Sequence, residues 1–96
     1  METINATVSE VYGKHFIKIE AGATQINIPL SEDKPNEVKS AFNKLITRIK
    51  EGPFQIMLAN VGDDLFSQVS NEYIAQLNRE IQEVHGEMKQ YGLVKV

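Results

Sequence analysis

Ninety-six residues without a cysteine allow one hydrophobic core and exclude a disulfide framework, a thiolate metal site and a cysteine nucleophile. Apolar residues make up 42% and charged residues 24%, the balance of a folded chain and not of a disordered one. A net charge of −3 and a pI near 5.3 disfavour nucleic acid or an anionic membrane as the main partner, since both attract positive charge.

No stretch approaches the ~18 consecutive apolar residues of a membrane span. The opening Met1-Glu2-Thr3-Ile4-Asn5 lacks the basic-then-apolar pattern of a secretory signal. A cytoplasmic location is the expectation.

In chain order, residues 3–12 alternate, with Ile4, Ala6 and Val8 on one face and Thr3, Asn5, Thr7 and Ser9 on the other. That period predicts a half-buried strand. Gly13-Lys14 is the expected turn. His15, Ile17 and Ile19 then alternate with Phe16, Lys18 and Glu20, and Ala21-Gly22 turns again. Ile26, Ile28 and Leu30 alternate with Gln25 and Asn27 in a third strand. Pro29 has no N–H to give a ladder, which predicts an edge. Residues 3–30 therefore read as an antiparallel meander.

Ser31 or Asp33 is placed to cap the next helix, with Pro35 in its first turn. Val38, Ala41, Phe42, Leu45, Ile46 and Ile49 recur at helical spacing and predict a helix over 34–51, stopped by Gly52-Pro53. Phe54, Ile56 and Leu58 alternate with Gln55, Met57 and Ala59, predicting a strand over 54–60. Ile74, Leu77, Ile81, Val84, Met88 and Tyr91 recur three or four residues apart, one stripe on a long helix over 64–91. Asp63-Asp64 precedes it as turn and cap, and Gly92 suits its end.

The fold class expected is α+β in two layers, with order β-β-β-α-β-α, a four-stranded mixed sheet and two helices on one face. One domain is expected over residues 1–96. In a meander the first and third strands run the same way. The fourth strand is placed parallel to the first, through a right-handed crossover, because Pro29 marks the third strand as an edge.

The helices carry opposite charge. Residues 34–50 hold Lys34, Lys39, Lys44, Arg48 and Lys50 against Glu37 alone, and residues 63–87 hold Asp63, Asp64, Glu72, Glu80, Glu83 and Glu87 against Arg79 alone. Glu80, Glu83 and Glu87 share one flank of the long helix. Gly86 lies opposite its apolar stripe, at a cost of ~1 kcal/mol relative to Ala.

No catalytic residue, metal site or cofactor is expected. Glu83, His85 and Glu87 are spaced two apart, which splays them around a helix, whereas metal ligands want three or four. His15 reads as a half-buried, hydrogen-bonded histidine on an apolar face. No serine has a GxSxG context, and no phosphate-binding glycine motif occurs. Tyr12, Phe16 and Lys18 come nearest to an RNA-stacking surface and fall short of one.

What remains is a non-catalytic module that contacts a protein partner through Asp63, Asp64, Glu80, Glu83 and Glu87, in an accessory, regulatory or toxin-neutralising role. The alternative is a homodimer, structural or regulatory, whose long helices pair along Ile81, Val84, Met88 and Tyr91. A small-molecule pocket between sheet and helices is the remaining enzyme-like option.

Overall fold

A computed structural model describes residues 2–30, 34–59 and 62–93. The strands are β1 (Glu2–Val11), β2 (Lys14–Ala21), β3 (Thr24–Pro29) and β4 (Phe54–Leu58); the helices are α1 (Lys34–Lys50) and α2 (Leu65–Gln90). The sheet order is β3-β2-β1-β4. β1–β2 and β2–β3 are antiparallel, and β1–β4 is parallel, with Ile4 opposite Ile56. The expected two-layer α+β arrangement is present, with β3 and β4 at the edges of the sheet.

The inward positions Ile4, Ala6, Ile17, Ile19, Ile26, Ile28, Phe54, Ile56 and Leu58 form one buried cluster with both helices. α1 contributes Val38, Ala41, Leu45 and Ile49 to it. It lies over β3, while α2 lies over β4 and β1. The opposite face of the sheet has no layer over it among the described residues, and it carries Thr3, Asn5, Gln25 and Asn27.

Both hairpins close one residue away from the expected positions. The first turn is Tyr12-Gly13, between paired Val11 and Lys14. Tyr12 (φ 51°) and Gly13 (φ 76°) are both left-handed, the signature of a type I′ turn. The second turn is Gly22-Ala23, between paired Ala21 and Thr24. Lys14 and Ala21 therefore belong to β2. α1 ends at Lys50 and β4 at Leu58. Ser31, Asp33 and Asn60 lie outside the described residues.

α2 has 26 residues, about 39 Å of helix, in a molecule of 44 × 23 × 23 Å. It runs the full length of the domain. Its buried face starts earlier than the apolar stripe, at Ser67, Ser70 and Tyr73. Ser70 Oγ donates to Phe66 C=O four residues back, at 2.6 Å, so its hydroxyl is satisfied inside the helix. Ile74, Leu77 and Ile81 are buried, Val84 and Met88 half-buried, and Tyr91 exposed. The helix ends in a Schellman motif: Leu93 N–H donates to Met88 C=O and Gly92 N–H to Lys89 C=O. Gly86 faces open space.

α2 also seals one edge of the sheet. Ala59 N–H donates inward to Ala6 C=O, so in this ladder Gln55 and Met57 also face β1, and Phe54 and Ile56 present their backbone groups outward. Asn78 meets Ile56 twice: its Oδ1 accepts from Ile56 N–H and its Nδ2 donates to Ile56 C=O, both at 2.9 Å. Gln82 Nε2 donates to Phe54 C=O at 2.9 Å. Two amide side chains thus take the place of a fifth strand.

Candidate functional site

The acidic residues singled out in the sequence do not converge. Asp63 and Asp64 stand at the start of α2, and Glu83 lies about 28 Å further along its axis by the α-helical rise. Glu83 and Glu87 are exposed, while Glu80 is half-buried and accepts from Gln76 Nε2 at 3.3 Å. Of the residues placed on a dimer seam, Ile81 packs in the core of its own chain and Met88 packs partly against it. Tyr91 (74% exposed) and Leu93 (60%) project from the end of the helix. Among the described residues one ion pair joins the helices, Lys34–Glu72 at 3.8 Å.

Asp64 is the N-cap of α2. Ser67 N–H donates to its Oδ1 at 3.0 Å and Ser67 Oγ–H to its Oδ2 at 2.9 Å. These bonds, led by the backbone N–H, hold its carboxyl below the ordinary aspartate range. Gly62 N–H donates to Ser67 Oγ at 3.1 Å. A Cβ at Gly62 would stand 2.8 Å from Asp64 Oδ2, so any larger residue there would push the capping carboxylate aside. Asp64 is thereby committed to the cap, while Asp63 is exposed beside it.

This turn meets the tip of the first hairpin. The His15 and Phe66 rings stack with centroids 3.5 Å apart and planes 7° from parallel. His15 Nε2 lies 3.6 Å from Glu10 Oε2. A shallow cleft of about 360 Å³ runs between the two segments, lined by Val8, Glu10, His15, Asp64 and Phe66 among others. The expected histidine is half-buried and stacked on a ring, with a carboxylate nearby but beyond hydrogen-bond distance.

Near that stack the hairpin tip and the first turn of α2 expose Tyr12 (99%), Leu65 (68%) and Phe66 (42%), whereas Val11 (52%) is exposed on the opposite, uncovered face of the sheet beside Phe16 and Lys18. Three large apolar groups are thus exposed at this end of the molecule, on the two segments that carry Glu10 and Asp63. Tyr12 is the outlier. An L-residue in the left-handed region costs about 1–2 kcal/mol, and a ring in full solvent recovers none of it through packing. Sequence reading sets Val11, Leu65 and Phe66 aside because apolar residues are read as core. The one available signal is Tyr12 beside Gly13, where type I′ turns favour Asn or Asp.

A larger cleft of about 550 Å³ lies at the opposite end, lined by Glu2, Glu20, Lys44 and Arg48 among others. Arg48 is engaged there: it pairs with Glu2, lies 4.0 Å from Glu51 and sits 4.8 Å over the Phe54 ring. Among the described residues no group of three or more His, Asp or Glu side chains is placed to hold a metal. Among the described residues no helix is long and apolar enough to cross a membrane. Comparison with protein-family models, with curated proteins and with solved structures finds no match for this chain.

Proposed function

We propose that the chain is a non-catalytic protein-binding module, and that its main contact surface is the end formed by the β1–β2 hairpin tip and the first turn of α2. The observation that supports this is the exposed set Tyr12, Leu65 and Phe66 beside the His15–Phe66 stack. Interfaces are centred on aromatic anchors with a polar rim. Here the rim is acidic, with Glu10 and Asp63, which favours a basic partner surface and faster encounter with it. Glu83 and Glu87 extend the negative field along α2 as a second, weaker contact. A module of this kind acts by occupying another protein's surface, in an accessory, regulatory or toxin-neutralising role.

A homodimer is the second reading, favoured by Tyr91 and Leu93 standing exposed beside half-buried Val84 and Met88.

Site-specific photocrosslinkers at positions 12, 65, 83 and 87, activated in cells, separate these readings. Adducts with a foreign protein from 12 and 65 are expected. Adducts from 83 and 87 alone would move the surface to the acidic flank. Adducts only with the chain itself would replace the foreign partner by a second copy.

A further inference from the structure

The β1–β2 ladder stops before either strand does. Its register ends at Ala6 with Ile19. β1 nevertheless runs back to Glu2, paired there with β4, and β2 runs on to Ala21, paired there with β3. The sheet is therefore split at this end. Ala59 N–H donates to Ala6 C=O on the β4 side, so alternation turns the N–H and C=O of Thr3 away from β4 and into the split. Main-chain groups so placed take their bonds from water or from a ligand. The cleft of about 550 Å³ opens here, between residues 2–5, the β2–β3 turn and the second half of α1, and its volume is that of a small-molecule site.

Its walls carry both charges. Arg48 is already held by Glu2, Glu51 and the Phe54 ring. Lys44, one turn earlier on α1, is exposed and has no ion-pair partner among the described residues. Glu20 stands on the β2 lip, and its 3.5 Å pair with Lys18 is solvent-exposed and therefore weak. Thr24 and Thr47 line the same cleft. A simple anion would meet the carboxylates of Glu2, Glu20 and Glu51, and a simple cation would meet Lys44 and Arg48. A molecule with one charge of each sign at its two ends finds a partner for both.

We infer that the split binds a short zwitterionic peptide, about two or three residues long, with its α-carboxylate at Lys44, its α-ammonium at Glu20 and an amide group on the main chain of Thr3. The main-chain groups of Thr3 favour a peptide over a free amino acid, which has both charges but no amide between them. This site lies at the opposite end from the hairpin-tip surface and is independent of it.

The test is isothermal titration calorimetry of the whole chain with trialanine, its N-acetyl and C-amide forms, and free alanine. Trialanine should bind saturably, and blocking either end should weaken it about tenfold. Alanine should bind more weakly than trialanine by a similar factor. Lys44→Gln should weaken trialanine about tenfold and leave the C-amide form unchanged. Glu20→Gln should weaken trialanine and leave the N-acetyl form unchanged. A variant that merely loosened the fold would weaken every form alike, and circular dichroism checks the fold directly. Tyr12→Ser combined with Leu65→Ser should leave trialanine binding unchanged, so failure here and failure at the hairpin tip are distinguishable.

The inference is overturned if trialanine does not bind at millimolar concentration, if free and blocked forms bind equally, or if the two variants weaken all forms alike. Alanine binding as tightly as trialanine would give the cleft to a free amino acid and overturn it equally.

Discussion

Tyr12 and Asp64 sit a few residues from the His15–Phe66 stack and resolve strain in opposite ways. Tyr12 holds a left-handed backbone with its ring in solvent. Strain of this kind is retained where function uses it. Tyr12→Asn should therefore raise stability by about 1 kcal/mol in urea unfolding while weakening crosslinking from neighbouring position 65. A loss of stability would mean that the ring contributes to folding. Asp64 does the reverse, giving its charge to the cap of α2. Its carboxyl is held below its ordinary range in the folded state, so its contribution is present above the unfolded value and is lost as pH falls through the folded one. Asp64→Asn keeps an acceptor for Ser67 N–H without the charge. Melting temperatures of wild type and variant should converge as pH drops below about 4. Curves that stay parallel would remove the carboxylate from the cap's pH dependence.

At the scale of elements, α2 is both a core helix and an edge seal. Asn78→Leu removes two hydrogen bonds and leaves Ile56 N–H and C=O without their partner. A loss of about 2 kcal/mol is expected, together with association that grows with concentration, since bare strand edges pair. Urea unfolding and light scattering check the two effects separately. An unchanged midpoint would mean that water replaces the amide without cost.

The strands and helices were legible because Ile4, Ala6 and Val8 or Ile74, Leu77 and Ile81 repeat at one period each, and Pro29 marked an edge by its missing N–H. The hairpin closures were less so. Alternation assigns faces without saying where the chain reverses, so a tyrosine took a turn place expected of lysine. Ser67 and Ser70 escaped notice on the buried face because a hydroxyl bonded within its own helix costs little to bury. Asn78 and Gln82 read as surface amides, since nothing local in the sequence links them to Ile56 and Phe54, more than twenty positions away. For the candidate site, Asp63 and Asp64 were visible as a turn. The stack of His15 on Phe66 was not, because it joins residues that only the fold brings together.

Across the whole molecule, one buried cluster serves both layers. Leu77, fully buried within it, touches the logic of every element. Leu77→Ala should cost about 3 kcal/mol, a large share of the roughly 5–14 kcal/mol expected for a domain of this length. Unfolding followed by circular dichroism and by fluorescence of buried Tyr73 should still coincide in a single transition. Separate transitions would divide the sheet from the helices.

The unequal edges also limit what this chain can build. A sheet open at both sides can recruit neighbours without end, and one closed at both sides recruits none. With Asn78 and Gln82 occupying the middle of the β4 edge and bare ladder groups on β3, a strand that joins this sheet is favoured on the β3 side. A strand that joins there presents an outer edge of its own, so whether a β-assembly ends or grows at that point is set by the partner's far side.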